Sequence, residues 1–143
     1  MAGIKSQNIQ IAHVDAPATE RHSIHEGAGE VDILRPFGIK NHLPAQIEVW
    51  ELEPGQSEGV HVHDHIIEYY HILSGDARMC VDGQTQDLGP GEIVLLEPGR
   101  WHSLENSSPD VPLRVMVTWS RLAPKFFNPW PSNAIDTTIQ HLV

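Results

Sequence analysis

The stretch from Gly55 to Gly75 constrains the fold of this chain more than any other part of the sequence. Alternate residues of a β-strand share a face, so His61 and His63 are predicted to point the same way. Two imidazoles on one rigid surface supply half of a metal site. Glu68 follows after enough residues for the chain to turn into a second strand, where its carboxylate could bind the same ion. The glycines at the two ends predict sharp bends of the backbone.

Short strands joined by turns account for most of the remaining sequence. The clearest strand covers residues 113–120, where the odd positions from Leu113 to Trp119 are apolar and the even positions are mostly polar. The pair Asp82-Gly83 favours a two-residue hairpin turn between strands over 77–81 and 85–88. Further strands are predicted over residues 46–53, 59–64, 67–73, 92–96 and 101–104. No convincing helix is present, so the pattern predicts an all-β sandwich or barrel.

The first 30 residues carry less pattern. Ile9, Ile11 and Val14 alternate enough for a short strand, whereas residues 15–30 are rich in Gly, Pro and small polar groups and are predicted to form a loop. His22 and His25 have the spacing of two ligands on a helix. Because nothing else supports a helix there, solvated loop histidines are the better interpretation.

The motifs around these histidines resemble those of the cupin family. The first cupin motif is matched by the stretch described above, from Gly55 through its histidines and Glu68 to Gly75. The second motif is matched by Gly91, Pro98, Gly99, His102 and Asn106. One departure is Glu97, which stands where a first proline is usual, although the following Pro-Gly still supplies the turn.

This resemblance implies an antiparallel jelly-roll β-barrel or sandwich with its ligand site inside. It implies one cupin domain over residues 1–143, with the barrel at about 31–120. Residues 1–30 would then be an N-terminal arm and residues 121–143 a C-terminal tail. Apolar residues of the tail, among them Phe126, Phe127 and Trp130, are expected to dock on the domain or on a second subunit, and a homodimer is expected.

The metal ligands that follow from the resemblance are His61, His63, Glu68 and His102. Neutral imidazoles with one carboxylate suit zinc, iron, manganese, nickel or copper, and we expect one divalent ion per subunit, with zinc favoured. Such a set leaves positions open for water or substrate, as in a catalytic site. The alternative is that the histidines only fill a polar barrel interior.

Neighbouring residues are candidates for catalysis. His65 continues the alternation of His61 and His63, so it is either a fourth imidazole near the ion, acting as ligand or proton shuttle, or an exposed residue near the turn. If His65 binds, Glu68 is free to act as a base. Tyr70 shares the face of Glu68 and is a candidate donor in the pocket, whereas His71 is predicted to face away.

Large apolar side chains suggest a cavity for a flat, mostly apolar ligand. The residues predicted to line it, together with Tyr70, are Trp50, Met79, Trp101, Met116 and Trp119. Arg100 and Arg114 could hold an anionic end of the ligand, although a position on the surface is favoured for both.

Composition excludes some partners. The net charge of −10 argues against nucleic acid and anionic membranes, because both need a basic surface. The single cysteine, Cys80, is predicted to be a small buried or half-buried strand residue, and no internal disulfide is possible. No apolar run is long enough for a membrane span or a signal sequence, so we expect a cytoplasmic protein.

Within the cupins, the short chain, its histidine cluster and its aromatic tail make it similar to the small aromatic polyketide cyclases of the tetracenomycin and resistomycin pathways. That resemblance implies metal-dependent aldol cyclisation and dehydration of a poly-β-ketone, possibly delivered by an acyl carrier protein. The alternatives are an iron or copper dioxygenase of the quercetinase or diketone-cleaving type, a metal- or ligand-binding module without turnover, and a sugar-nucleotide or keto-acid isomerase.

Overall fold

A computed structural model describes residues 9–40 and 42–122 of the chain. These residues form ten strands: β1 (Glu20–His22), β2 (Val31–Leu34), β3 (Ala45–Leu52), β4 (Ser57–His61), β5 (Ile66–Ser74), β6 (Ala77–Val81), β7 (Gln84–Leu88), β8 (Ile93–Leu96), β9 (His102–Asn106) and β10 (Leu113–Arg121). Within the described ranges no helix is long and apolar enough to cross a membrane. The prediction of an all-β chain is confirmed.

The strands form two antiparallel sheets that face each other as a jelly roll. The larger sheet has six strands in the order β1-β2-β3-β10-β5-β8, and the smaller has four in the order β4-β9-β6-β7. Residue types that favour turns separate neighbouring strands. At the β6–β7 hairpin, for example, Asp82 and Gly83 have φ values of 48° and 82°, as a type I′ turn requires.

The core lies between the inner faces of the two sheets. In β10, which pairs with β3 on one side and β5 on the other, Leu113, Val115 and Val117 are buried while the intervening residues are partly exposed. Leu104 and Met79 of the smaller sheet contribute to the same cluster of buried side chains. The alternation of apolar residues therefore builds the sandwich, because each strand turns one face to the opposite sheet.

The N-terminal region differs from the prediction. Ile9 and Ile11 are exposed and lie in no strand, because no neighbouring strand pairs with them. Instead, β1 lies within the segment predicted to be a loop and pairs with β2, and the side chain of Arg21 donates to Asp32 at 2.8 Å. Cys80 is a half-buried residue of β6, as predicted. The tail residues predicted to dock, Phe126, Phe127 and Trp130, lie outside the described residues.

Candidate metal centre

The four predicted metal ligands come together between the two sheets. His61 at the end of β4 pairs in register with His102 at the start of β9, in the smaller sheet. Glu68 lies on the facing strand β5 of the larger sheet, and His63 follows β4. One ligand atom from each of these residues lies within 4.8 Å of the others. We call these four residues the ligand cluster.

Backbone hydrogen bonds fix which ring nitrogen faces the centre. The Nδ1 atom of His61 lies 2.8 Å from the carbonyl oxygen of Gly59, and that of His102 lies 2.9 Å from the carbonyl oxygen of Arg100. Because a carbonyl only accepts, both Nδ1 atoms must carry the hydrogen. The Nε2 atoms are thereby directed to the centre, which is the arrangement that orients imidazoles for a metal ion.

Two ring nitrogens of the ligand cluster lack any hydrogen-bond partner among the described residues. The Nε2 atoms of His61 and His63 are buried and unpaired among the described residues. His63 Nε2 lies 3.0 Å from Glu68 Oε1, yet that contact does not have the geometry of a hydrogen bond. Unsatisfied buried polar atoms are rare because they are costly. A divalent cation would satisfy both, so the residues present fit a metal ion of the zinc or iron type.

The protonation state of His61 suits this role. Burial lowers its pKa to about 4, against the opposing effect of its hydrogen bond with Gly59, and the neighbouring His102 lowers it further. At neutral pH the ring is therefore uncharged, which is the form that binds metal ions.

The two oxygens of Glu68 have different partners. Oε2 accepts from the Tyr70 hydroxyl at 2.7 Å and lies 3.0 Å from His102 Nε2, whereas Oε1 faces His63. Burial alone would raise the pKa of Glu68, but its contacts with His102 and Tyr70 outweigh burial and the pKa is lowered. Glu68 is therefore a carboxylate with one oxygen held in place and the other directed to the centre.

A second carboxyl group, Glu58, lies behind the centre. It is 1% exposed, and both of its oxygens lie 3.0–3.1 Å from the Tyr70 hydroxyl. Burial and then the charge of Glu68 raise the pKa of Glu58 well above its usual range, which favours its neutral form. Tyr70 has one hydroxyl hydrogen, which it donates to Glu68 at the shorter distance. The Tyr70 hydroxyl therefore links the two carboxyl groups in a carboxyl–phenol–carboxylate chain.

Sequence reasoning missed Glu58 because the strand is irregular. The β4–β9 register shifts between Glu58 and His61, so both side chains point inward although they are three residues apart. Strict alternation would place them on opposite faces, and a β-bulge removes that alternation. The one signal in the sequence is Gly59, because an isolated glycine inside a strand often marks a bulge.

Of the other two predicted catalytic residues, Tyr70 lies beside the ligand cluster and His65 lies outside it. Tyr70 is fully buried next to the cluster, as described. His65 is exposed, at a bend beyond the end of β4, and does not belong to the cluster. The alternation that suggested His65 as a ligand ends with the strand at His61, so the structure favours the exposed alternative. His71 pairs with Met116 on the face opposite to Glu68, as predicted.

Only part of the predicted cavity lining faces the interior. Trp119 pairs in register with Glu68 and packs against the core, so it lies beside the centre. Trp50 and Met79 are buried as core residues, and the Trp50 indole donates to Glu48 at 2.6 Å. Of the predicted aromatic lining, Trp119 is therefore the residue that the structure places beside Glu68.

Four residues of the predicted pocket lie elsewhere. Met116 is on the outer face of the larger sheet, because its neighbours Val115 and Val117 take the inner positions. Trp101 is 55% exposed, and the side chain of Arg100 is 53% exposed and paired with an aspartate at 2.7 Å. Arg114 also lies on the outer face, where it pairs with Asp15. Sequence alternation could have placed Met116 correctly.

An unpredicted histidine reaches the cluster from the N-terminal region. The ring of His25 stacks on that of His61, with centroids 3.7 Å apart and planes 15° from parallel, and its centroid lies 5.6 Å from that of His63. Burial and the proximity of His63 lower the pKa of His25, although part of the residue is exposed. His25 is an exposed loop residue, as predicted, but contacts distant in sequence hold that loop against β4 and bring the ring to the cluster, which the sequence did not indicate.

Comparison with known proteins agrees with this architecture. A model of the cupin domain family, Cupin_2, matches residues 48–119, which include the whole ligand cluster. The crystal structure of a predicted oxalate decarboxylase from Thermotoga maritima superposes with a TM-score of 0.71 at 26% identity, covering 78% of this chain and 99% of that one. The two folds are therefore alike over most of their length.

Two characterised groups of proteins are similar in sequence. An oxalate-binding protein of Thermotoga maritima is 33% identical over 83 residues, which are 57% of this chain and 69% of that protein. Mannose-1-phosphate guanylyltransferase of Escherichia coli is 26% identical over 100 residues, which are 67% of this chain and 20% of the enzyme. The chain thus spans about a fifth of the length of the guanylyltransferase it matches.

Proposed function

Because this chain belongs to the cupin domain family, we propose that it is an enzyme that depends on one divalent metal ion held by the ligand cluster. The observation that carries this proposal is the pair of buried, unpartnered Nε2 atoms on His61 and His63, which face a carboxylate and a third imidazole. Three imidazoles and one carboxylate leave coordination positions for a substrate. Zinc remains the favoured ion, with iron, copper, nickel and manganese as alternatives that the same ligands accept.

The finer proposal is an aromatic polyketide cyclase. Its substrate would be a poly-β-ketone, free or bound to an acyl carrier protein, in which methylenes between two carbonyls are already acidic. A bound divalent ion would supply a Lewis acid that polarises a carbonyl oxygen. Aldol closure and loss of water would then give an aromatic ring, and the protein's main task would be to position a flexible chain.

The chain's own residues can provide two parts of this chemistry. Tyr70 donates a hydrogen bond to Oε2 of Glu68 and holds the carboxylate in place, so that Oε1 could accept a proton from a substrate. Trp119 supplies an apolar wall beside Glu68. These features support enolisation of a carbonyl compound. Trp101 and Arg100 are exposed, and neither is assigned a role at the centre.

A second candidate is binding or turnover of a small dicarboxylate. The likeness to an oxalate-binding protein and to a predicted oxalate decarboxylase favours it. A dicarboxylate and the enolate of a β-diketone both offer two oxygens to one ion, so the same cluster suits either ligand. The iron or copper dioxygenase remains a further alternative that uses these ligands with a redox-active ion.

One set of measurements separates these functions. The protein is purified without added metal, analysed for its elements, and reloaded in turn with zinc, iron, copper and manganese. A poly-β-ketone mimic, a β-diketone and oxalate are then supplied, while ring formation, oxygen uptake and oxalate consumption are followed. Cyclisation with zinc and without oxygen supports the cyclase. Oxygen uptake by the iron- or copper-loaded protein alone supports the dioxygenase. Consumption of oxalate, without reaction of the other two compounds, supports the dicarboxylate function.

The ligand assignment has its own control. We expect His102→Ala to lose bound metal and activity together, because it removes one of the four ligands. His71→Ala, a histidine on the opposite face of β5, should keep both. Full metal occupancy in His102→Ala would contradict the assignment.

A homodimer and a location in the cytoplasm are also proposed for this protein. The net charge of −10 is the support for expecting no nucleic-acid or anionic-membrane partner.

A further inference from the structure

The loop that carries His25 is held tightly to strand β4. The carbonyl oxygen of Ile24 accepts from the amides of both Gly27 and Gly59 at 2.9 Å, and the Ser57 amide donates to Ala28 at 3.0 Å. The Ser57 hydroxyl in turn accepts from the Ala28 amide. Apart from the local bond between Gly27 and Ile24, these bonds join residues about 30 positions apart in the sequence, so the loop behaves as an addition to the edge of β4.

Two glycines make this close approach possible. A Cβ atom at Gly59 would collide with the carbonyl oxygen of His25, and one at Gly27 would collide with that of Ser57. The backbone of His25 is itself in the left-handed region, with φ at 47°, and Glu26 follows with φ at 59°. Such conformations cost about 1 kcal/mol for residues other than glycine and persist where the surroundings impose them. The position of His25 is therefore imposed by the fold.

The ring nitrogens of His25 make no hydrogen bond with any described residue, in contrast to those of His22. Both nitrogens of His22 are paired, with the carbonyl oxygen of Ser23 at 3.0 Å and with a glutamate carboxylate at 3.2 Å. One ring nitrogen of His25 also lies within 4.8 Å of a nitrogen of His61 and a carboxyl oxygen of Glu58. A partly exposed imidazole with free nitrogens beside the ligand cluster is placed to contact a molecule bound there.

We propose that His25 is a ligand-binding residue of the metal centre, donating a hydrogen bond from a ring nitrogen to an anionic oxygen ligand in the open position. The stack on His61 sets the position of the ring, and the free nitrogen makes the contact. This proposal rests on metal binding in the proposed function but not on the identity of the substrate. Carboxylates and enolates are the class of ligand that it would recognise.

The test uses cobalt(II)-loaded protein and oxalate as the probe, followed by the visible absorption of the cobalt ion. His25→Phe keeps a ring that can stack but has no nitrogen. His25→Asn tolerates the left-handed backbone but is too short to reach the centre. We expect both variants to bind oxalate about tenfold more weakly, as expected for loss of one hydrogen bond to a charged group. Cobalt affinity, measured by competition with a chelator, should change less than about threefold, because no metal ligand is lost.

His22→Ala is the matched control and should bind oxalate like the original protein. Oxalate affinity that is unchanged in His25→Phe would overturn the proposal and leave a packing role. A large loss of cobalt from both variants would also overturn it, since His25 would then be supporting the ligands. Failure of the original protein to bind cobalt would refute the proposed function, and with it this inference. Cobalt binding without oxalate binding would refute the inference alone.

Discussion

At the scale of single residues, burial keeps the His61 imidazole uncharged at neutral pH. The pKa of His61 is about 4 in the folded protein and 6.5 in its ordinary state. Between these values the unfolded chain binds a proton at this residue that the folded chain does not bind. The metal-free protein should therefore lose stability from this residue as the pH falls from about 6.5 to about 4, with no further loss below that window.

Urea unfolding of metal-free protein at several pH values checks this expectation. His61→Gln removes the titrating group and should make the decline in unfolding free energy with falling pH shallower. Comparing the two proteins isolates His61 from the carboxyl groups, which titrate in both. Identical slopes would show that the buried ring does not contribute as expected.

Tyr70 links the two buried carboxyl groups, and its hydroxyl can be tested alone. Tyr70→Phe would leave the buried carboxyl of Glu58 without this hydrogen-bond partner and Glu68 without one donor. A buried polar group without a partner costs about 1–3 kcal/mol, so the free energy of unfolding should fall by that amount. Tyr69→Phe is the control because Tyr69 is 46% exposed on the other face of β5. Equal losses in the two variants would argue against the chain of three groups.

At the scale of elements, regular strands were predictable and irregular ones were not. Strand β10 follows its alternation because one face is buried along most of its length. The bulge in β4 turns Glu58 inward, where alternation places it outward. The end of β4 at His61 also explains why His65 is exposed. The cupin motif predicted the four residues of the ligand cluster, which the structure brings together. No local pattern could reveal His25, whose position depends on a contact with β4.

The junction of the N-terminal loop with β4 gives a prediction at this scale. Gly59→Ala introduces a Cβ that collides with backbone, so either β4 or the loop must shift. We expect a loss of about 1–3 kcal/mol in the free energy of unfolding, as for other overpacked sites. Gly89→Ala is the matched control, because the nearest atom to its new Cβ would be 3.8 Å away. A Gly59→Ala protein as stable as the Gly89→Ala protein would show that the junction is loose.

At the scale of the whole molecule, one edge of the larger sheet is suited to self-association. Among the described residues β8 has a strand neighbour on one side only, and its Ile93 and Leu95 are 61% and 51% exposed beside Tyr69. Exposed edges with apolar side chains favour pairing with another chain. We predict a homodimer through this edge.

Sedimentation of the protein over a range of concentrations measures this association. Leu95→Lys should shift the protein toward monomer, because a charge on an apolar edge opposes pairing. Ile39→Lys, at a position 58% exposed and outside the strands, should leave the association unchanged. A monomer at all concentrations, or a dimer that persists in Leu95→Lys, would rule out the β8 edge as the interface.

The placement of the ligand cluster has a mechanical consequence for the molecule. His61 and His102 belong to the smaller sheet, and Glu68 belongs to the larger one. A bound ion would therefore add a link between two layers that side-chain packing and hydrogen bonds, such as that of Tyr70 with Glu58, also hold together. Loading the centre should slow the separation of the layers, so amide hydrogen exchange in β5 and β9 would report metal release as well as unfolding.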